Sequence, residues 1–450
     1  MTIRRVLIAN RGEIAGRVIR TCASLGIETV LAASDADLDS VPARLADKVV
    51  RIGPPQPARS YLDPRLIVAA AQSSGVQAIH PGYGFLSENV TLGAACRDAG
   101  LIFIGATEEQ LRSVGDKWRA REIAEGAGLP VIPGGFVGAP EEAETLIAAI
   151  GCPLLVKAVG GGGGRGMKLV TDPSKAEETI ALAISEAEAA FGDARIYIER
   201  FVAHGRHIEV QLLGDGEDVI HLGERDCSVQ RRYQKIVEEA PAPNLSDKLR
   251  GALRASAAAV GRALKYRGLG TVEFLVDAER DAFYFLEMNA RIQVEHPITE
   301  AITGVDLVEE QIAVAEGQRL HIAQDDVRFS GHAIEFRINA EDPVHDFRPS
   351  PGTVTRALFP AGEGIRVDTH IEAGRTVPPF YDSLLAKIIV HGKNRGAAIE
   401  RARAALANCR IEGVETNISV QRSLLDDPEF IRGGGDTNWF ERFRARTTKD

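Results

Sequence analysis

Four short apolar runs, at residues 6–9, 29–33, 76–79 and 101–104, have the length of buried strands, and residues 12–25 and 64–74 repeat their apolar positions at helical spacing between them. Strands alternating with helices predict a parallel, doubly wound sheet over about residues 1–110. Residues 116–127 read as a further helix, ended by Gly128 and Pro130. From His207 the pattern changes to single alternation, in the run His-Ile-Glu-Val-Gln-Leu-Leu, which predicts antiparallel strands. Residues 246–264 read as a helix with Ser246 as its cap. Alternation returns over residues 332–338, and residues 395–407 read as a closing helix. The expected fold class is α/β at the start of the chain and α+β after it.

Five consecutive glycines, Gly160 to Gly164, stand between Lys157 and Met167 with strand-like runs on both sides. Each glycine costs roughly 0.5–1 kcal/mol relative to alanine inside regular structure. A flexible linker fits poorly, because linkers do not usually lie inside hairpins. Gly161 and Gly166 have P-loop spacing, but Met167 stands where that motif needs lysine. Gly161, Gly163 and Gly166 match G-x-G-x-x-G, with a strand following in place of a helix. Two readings remain: a hairpin whose bare N–H groups fold over phosphates, and a mobile surface hairpin.

Residues 271–276 and 283–289 read as the arms of a hairpin around the polar connector 277–281. With the turn centred on Arg280, Glu273 lies opposite Glu287, and two facing carboxylates repel unless a cation joins them. Asn289 faces the same way, so Glu273, Glu287 and Asn289 offer hard oxygen ligands suited to Mg2+. Continued alternation puts Glu287, Asn289, Arg291, Gln293 and Glu295 on one face. Arg291 is suited to grip a small anion through two parallel hydrogen bonds, and Glu295 to act as a general base beside it. The competing reading is a half-buried strand with a solvated face, which would not call for a carboxylate pair at its start. Residues 224–235 gather Arg225, Arg231, Arg232 and Lys235, either as surface ion pairs or, with Lys117 and Lys157, as partners for a polyphosphate.

Composition narrows the partners. The formal charge of the 450-residue chain is −10, with no sign of general nucleic-acid binding. No segment reaches the about 18 uninterrupted apolar residues of a membrane span. Arg4 and Arg5 are followed only by the run Val6 to Ala9 before Asn10 and Arg11 interrupt it, too short for an export signal. The five cysteines are odd in number, widely spaced and without C-x-x-C, which argues against disulfides and zinc and for a reducing cytoplasm. His80, His207 and His296 lack ligand spacing, so hydrogen-bonding roles suit them better than metal ligation.

The stretches IANRGEIA, HPGYGFLSEN, GDK, VKAVGGGGGRGM, ERDCSVQRR, VEEAPAP, EMNARIQVEHP, RINAEDP and PPFYDSLLAKI together closely resemble the biotin carboxylase family of ATP-grasp enzymes, over nearly the whole chain. The resemblance implies an ATP-grasp fold with an N-terminal domain at residues 1–111, an ATP-grasp domain at 112–325 with a glycine-rich lid at about 131–203, and a C-terminal antiparallel domain at 326–450. It implies MgATP- and bicarbonate-dependent carboxylation of biotin on a separate biotin carboxyl carrier protein, through carboxyphosphate. ATP would be held by Lys117, Lys157, Gly162, Gly163, Gly164, Arg165, Gly166, Met167, His207, Gln230, Tyr233, Leu275 and Glu287, with Glu199, Arg200 and Val202 lining the adenine. Glu273, Glu287 and Asn289 would bind Mg2+ or Mn2+. Lys235, Arg291, Gln293 and the Val294 backbone would hold bicarbonate, and Glu295 would deprotonate it. Arg337 would steady the ureido oxygen of biotin, with Tyr83 nearby. The family lid closes over ATP, which accounts for the glycines, since backbone must approach phosphate with no Cβ in the way.

Tyr233 stands where many relatives have histidine; a phenol hydrogen-bonds but is not cationic near neutral pH. Arg200 replaces a common lysine, and its main-chain contact with adenine is expected to survive. There is no biotin-attachment motif of the AMKM type and no further sequence for a carboxyltransferase. The expectation is a cytoplasmic, homodimeric subunit serving separate carrier and carboxyltransferase subunits, with acetyl-CoA as the final acceptor. A carbamoyl-phosphate-type ligase, which also activates bicarbonate, is the rival enzyme, and an ATP-binding regulatory protein the rival from another class.

Overall fold

The computed structural model describes residues 2–137, 140–158, 167–277 and 279–447. The first layer is a parallel sheet in the order Lys48–Gly53, Glu28–Ser34, Arg5–Ile8, Ala78–His80, Ile102–Phe103. Alternation assigns its two faces. Val6, Ile8, Leu31 and Ala33 pack with Ile14, Val18 and Ile19 of the helix Gly12–Ser24. Leu7, Ala9, Val30 and Ala32 pack with Ile67, Ala70 and Leu92 from the helices Pro64–Ser74 and Val90–Asp98. The sheet is therefore doubly wound, as the apolar runs predict. The strand Lys48–Gly53 escaped those runs because it is a half-exposed edge interrupted by Arg51.

Strand order reverses between Arg5–Ile8 and Ala78–His80. Open α/β sheets bind ligands at such a switch point, beyond the carboxyl ends of the strands. Here the first turn of the helix Gly12–Ser24 carries Glu13, and the loop after Ala78–His80 carries Tyr83.

The second unit is an antiparallel sheet in the order Gly134–Val137, Ile196–Arg200, Leu154–Ala158, Met167–Val170, with the helices Pro140–Ile150 and Ala176–Phe191 packed against it. Lys157 pairs with Met167, so the glycine segment does join two hairpin arms. Gly162, Gly163, Gly164, Arg165 and Gly166 lie outside the described residues.

The third unit is an eight-stranded antiparallel sheet in the order Ala282–Asn289, Arg267–Asp277, Gly205–Asp215, Val219–Arg231, Gln234–Ala240, His332–Asn339, Leu384–Gly392, Ile365–Thr369. Gln234–Ala240 pairs with His332–Asn339, so this sheet runs without a break across the point where the sequence suggested a division at 325/326. The helix Asp247–Ala263 packs against it, and Ser246 Oγ caps that helix by accepting from Leu249 N–H at 3.1 Å. Among the described residues no helix is long and apolar enough to cross a membrane.

One expectation needs correcting. The strand that carries Glu287 and Asn289 ends at Asn289, and residues 290–295 leave the sheet before the helix His296–Thr303. The apolar alternates explain the departure. Ala290 packs in the core of the eight-stranded sheet, whereas Ile292 packs in the core of the parallel-sheet domain, so the chain must turn from one to the other.

Candidate active site

One row of register partners crosses the eight-stranded sheet, with Arg225, Glu209, Glu273 and Glu287 side by side on four neighbouring strands. The Glu273–Glu287 pairing is the one counted from the sequence. A bulge shifts the register between Glu273 and Phe274, because Phe274 pairs with Phe285 and Glu273 with Glu287. Like charges opposed across strands are destabilising, so cations must enter the row. Arg225 is fully buried and donates from Nε to Glu209 Oε1 at 2.5 Å, while Gln211 and Thr299 take its Nη1 hydrogens at 2.7 and 2.9 Å. Lys235 Nζ donates to Glu209 Oε2 at 2.6 Å, to Glu295 Oε1 at 2.6 Å and to Glu273 Oε1 at 3.3 Å.

Glu295 has 0% of its surface exposed. Lys235 grips one of its oxygens and Arg337 Nη2 the other at 3.0 Å. Burial alone would raise its carboxyl, but Lys235, Arg337 and Arg225 together hold it well below the usual carboxylate range. It is a buried anion between two cations.

Although residues 290–295 form no strand, their polar groups still converge. Arg291 Nη2 donates to Asn289 Oδ1 at 2.7 Å and Nη1 to Gln293 Oε1 at 2.9 Å. Gln293 Nε2 in turn approaches Glu273 Oε1 at 3.4 Å. The Val294 carbonyl accepts from Lys387 Nζ at 2.8 Å. The turn thus delivers Arg291, Gln293 and Glu295 to the same place by folding back.

Glu287 is left over, with no hydrogen bond or ion pair among the described residues. Burial, with Glu273 opposite, pushes its carboxyl up from the ordinary value. A divalent cation would remove that penalty. Glu273, Glu287 and the Asn289 amide oxygen are hard oxygens of the kind Mg2+ or Mn2+ takes, and ligation would require the Asn289 amide, which here accepts from Arg291 and donates to Glu273 Oε1 at 3.0 Å, to turn over. Two other groups lie within ligand reach of one another, His207 with Glu209 and Glu273, and Glu209 with Cys227 and Glu295. Both groups already have the Lys235 ammonium as counter-charge, and neither contains Glu287, the acid without an ion pair among the described residues.

His207 lies within ion-pair distance of Glu273, at 2.8 Å, and its ring reaches Gln230 at 3.4 Å. Leu275 is the cross-strand partner of His207. Lys117 opens the helix Lys117–Gly126. On the four-stranded sheet, Lys157 pairs with Glu199 at 2.5 Å, and Arg200 hydrogen-bonds the Tyr284 hydroxyl on the edge strand of the large sheet. The Arg200 N–H is donated to the Pro133 carbonyl at 3.0 Å, so that donor is already engaged. Tyr233 is 61% exposed in a two-residue turn with Arg232, both at positive φ, which Arg232 ties to Asp346 at 2.8 Å. Arg225 and Lys235, read from one basic cluster, go inward, whereas Arg231 and Arg232 bond the Asp346 loop.

At the switch point the Tyr83 hydroxyl bonds Glu13, whose carboxylate also meets the fully buried Lys387 at 3.1 Å. A cavity of about 120 Å3 lies beside them, lined by Asn10, Glu13, Tyr83, Phe85, His370 and Asp382. Glu209, Glu88, Glu13, Glu238 and Lys387 belong to this network and escaped the sequence reading. Glu209 had a signal, since it lies two residues from His207 on an alternating strand. Lys387 had one too, as a lone lysine inside an apolar run. Glu88, which binds Arg291 Nε at 2.9 Å, had none.

Three family descriptions match the chain in succession. These are "Biotin carboxylase, N-terminal domain" over residues 2–111, "Carbamoyl-phosphate synthase L chain, ATP binding domain" over 116–323 and "Biotin carboxylase C-terminal domain" over 335–442. The biotin carboxylase of Nostoc sp. is 48% identical over 444 residues, which is 98% of this chain and 99% of that protein. The Campylobacter jejuni biotin carboxylase, solved as a β-γ-ATP complex, matches with a TM-score of 0.93 at 43% identity, covering 98% of this chain and 99% of its own. The biotin carboxylase domain dimer of Hydrogenobacter thermophilus 2-oxoglutarate carboxylase, solved with MgADP, ADP and bicarbonate, matches with a TM-score of 0.93 at 42% identity, covering 99% and 98%.

Proposed function

This chain belongs to the biotin carboxylase family and is an ATP-dependent ligase, and on that premise we propose how its site carries out the reaction. ATP lies between the four-stranded and eight-stranded sheets, held by Lys117, Lys157, Met167, His207, Gln230, Tyr233 and Leu275, with its adenine beside Glu199, Arg200 and Val202. Gly162 to Gly166, outside the described residues, are assigned to the same nucleotide on family resemblance alone. Glu273, Glu287 and Asn289 would hold Mg2+ or Mn2+, which would supply positive charge to offset that of the phosphates. Bicarbonate takes Lys235, Arg291, Gln293 and the Val294 backbone.

The observation that carries this reading is the double grip on Glu295. While Lys235 and Arg337 both bind it, Glu295 is ionised but a weak proton acceptor. When Lys235 turns to bicarbonate and Arg337 to the ureido oxygen of biotin, the carboxylate loses its counter-charges and gains proton affinity. Deprotonated bicarbonate then attacks the γ-phosphorus, ADP leaves, and carboxyphosphate forms. That species breaks to CO2 and phosphate, phosphate takes the biotin N1′ proton, and N1′ adds to CO2 to give carboxybiotin. Arg337 and the cavity beside Tyr83 favour biotin over a carbamoyl-phosphate-type acceptor. Phosphate release that needs bicarbonate and is accelerated by free biotin supports the assignment; bicarbonate-dependent release that biotin leaves unchanged supports the rival.

Removing the leftover acid weakens the cation site. Glu287→Gln is expected to weaken Mn2+ binding at least about tenfold, as read by electron spin resonance titration with the metal alone. An unchanged isotherm excludes Glu287 as a ligand. Tyr233→His supplies a group that titrates near about pH 6.5. Relative to the parent, ATP affinity should rise a few-fold as pH falls through that value, because an imidazolium attracts phosphate. Superimposable profiles would show that this turn does not face the nucleotide.

The final acceptor is handled by a carboxyltransferase partner, after biotin on a carrier protein has been carboxylated. We assign acetyl-CoA as that acceptor on family resemblance alone; 2-oxoglutarate, the substrate in the name of the Hydrogenobacter relative, is the alternative. The same relative's dimer supports a homodimer here.

A further inference from the structure

Behind Arg337 lie two acids that the reaction above does not use. Glu238 and Glu335 are direct cross-strand partners on Gln234–Ala240 and His332–Asn339, and both are 0% exposed. Glu238 Oε1 accepts from Arg337 Nε at 2.6 Å and also contacts Nη2, the nitrogen that reaches Glu295. The second oxygen of Glu238 and both oxygens of Glu335 have no hydrogen-bond partner among the described residues. Among those residues Arg337 is the one cation paired with Glu238, and Glu335 is paired with none. Facing carboxyls in a dry sheet cannot both ionise cheaply, and two that share a site keep a proton between them.

We propose that Glu238 and Glu335 form a one-proton carboxyl pair that positions Arg337. With the proton present, the pair carries one negative charge and lets Arg337 pass from Glu295 to biotin. With it lost, the second charge holds Arg337 back. The proposal rests on Arg337 as the ureido-oxygen ligand. Glu238 faces Glu335 and Arg337 on the next strand, Lys235 on its own strand, Cys227 on the preceding strand and Glu295 ahead of the helix. Glu335 faces, in addition, Lys387, whose charge is already met by Glu13. Burial pushes both acids up from the ordinary carboxyl value. For raised acids the protonated state is full at low pH and is lost as pH rises through the raised value, so biotin carboxylation falls on the alkaline side. Glu335 as an acid does nothing visible for folding, since a buried unpartnered carboxyl is a cost.

The test follows carboxylation of free biotin and biotin-free, bicarbonate-dependent ATP hydrolysis across pH, with thermal melts alongside. Glu335→Gln, which cannot ionise, should move the alkaline limb of carboxylation up by at least about one pH unit. Glu238→Gln should lower the ratio of carboxylation to biotin-free hydrolysis about tenfold and raise the KM for biotin. An unmoved alkaline limb in Glu335→Gln, or a parallel fall of both activities in Glu238→Gln, overturns the proposal. The Glu335 limb decides alone if Glu238→Gln fails to fold. A parent protein with no bicarbonate-dependent hydrolysis instead removes the assigned function, and the pair's role with it.

Discussion

Glu295→Gln abolishes carboxylation of biotin and leaves ATP bound. Glutamine fills the same volume, so the fully buried site keeps its packing. It cannot take a proton from bicarbonate. Loss of a positioned general base costs about 10²- to 10⁴-fold in rate, and among the described residues no other carboxylate bonds both Lys235 and Arg337. Lys235 keeps Glu209 and Glu273 as partners, so the groups assigned to nucleotide stay in place. Calorimetric titration with ATP and a carboxybiotin assay separate the two effects. Carboxylation at the parent rate in this variant would remove Glu295 as the base.

Lys235→Met is expected to damage stability as well as catalysis. The ammonium bonds three buried carboxylates, Glu209, Glu273 and Glu295. Without it those charges face one another around an uncharged thioether, and breaking a buried ionic cluster on one side costs about 3–5 kcal/mol. The pH dependence should change sign locally. In the parent, Glu273 and Glu295 are held below their ordinary values, chiefly by Lys235 against the cost of burial. Their contribution is present above about pH 4.3, the unfolded value, and is lost as pH falls through the depressed folded values. In the variant the same acids are raised, so their stabilising protonated state is present at low pH and lost as pH climbs. Urea midpoints measured across the acid to neutral range should therefore fall with rising pH in the variant over the window where the parent's hold or rise. Parallel curves would mean that Lys235 is not the counter-charge of the cluster.

The local features of this site could be read from the chain, and the long-range ones could not. Counting outward from a connector centred on Arg280 puts Glu273 opposite Glu287, and the pairing holds because the bulge between Glu273 and Phe274 shifts the turn's own register by one residue. Asn289 followed from alternation. Arg291, Gln293 and Glu295 were grouped correctly in space but by the wrong geometry. Ala290 and Ile292 pack in two different cores, which pulls that segment out of the sheet, and no local pattern announces a second core. Arg225 and Arg231 looked alike in one basic cluster. Their different fates depend on which strands flank them, and Glu209 reaches Arg225 only through a pairing that links separate strands. The doubly wound sheet showed in its apolar runs except at the edge strand Lys48–Gly53, which has only a half-buried face. Glu335 and Lys387 are the clearest cases of charge hidden in apolar strands, visible as oddities but without a partner until the sheet is assembled.

The central claim is that Glu295 activates bicarbonate as the nucleophile toward ATP. Bicarbonate labelled with oxygen-18 tests it most directly, with inorganic phosphate analysed by mass after turnover in the presence of biotin. The account predicts that labelled oxygen passes from bicarbonate into phosphate in step with carboxybiotin formed, and that Glu295→Gln stops both. Phosphate that carries oxygen only from water and ATP, while carboxybiotin accumulates, would contradict it.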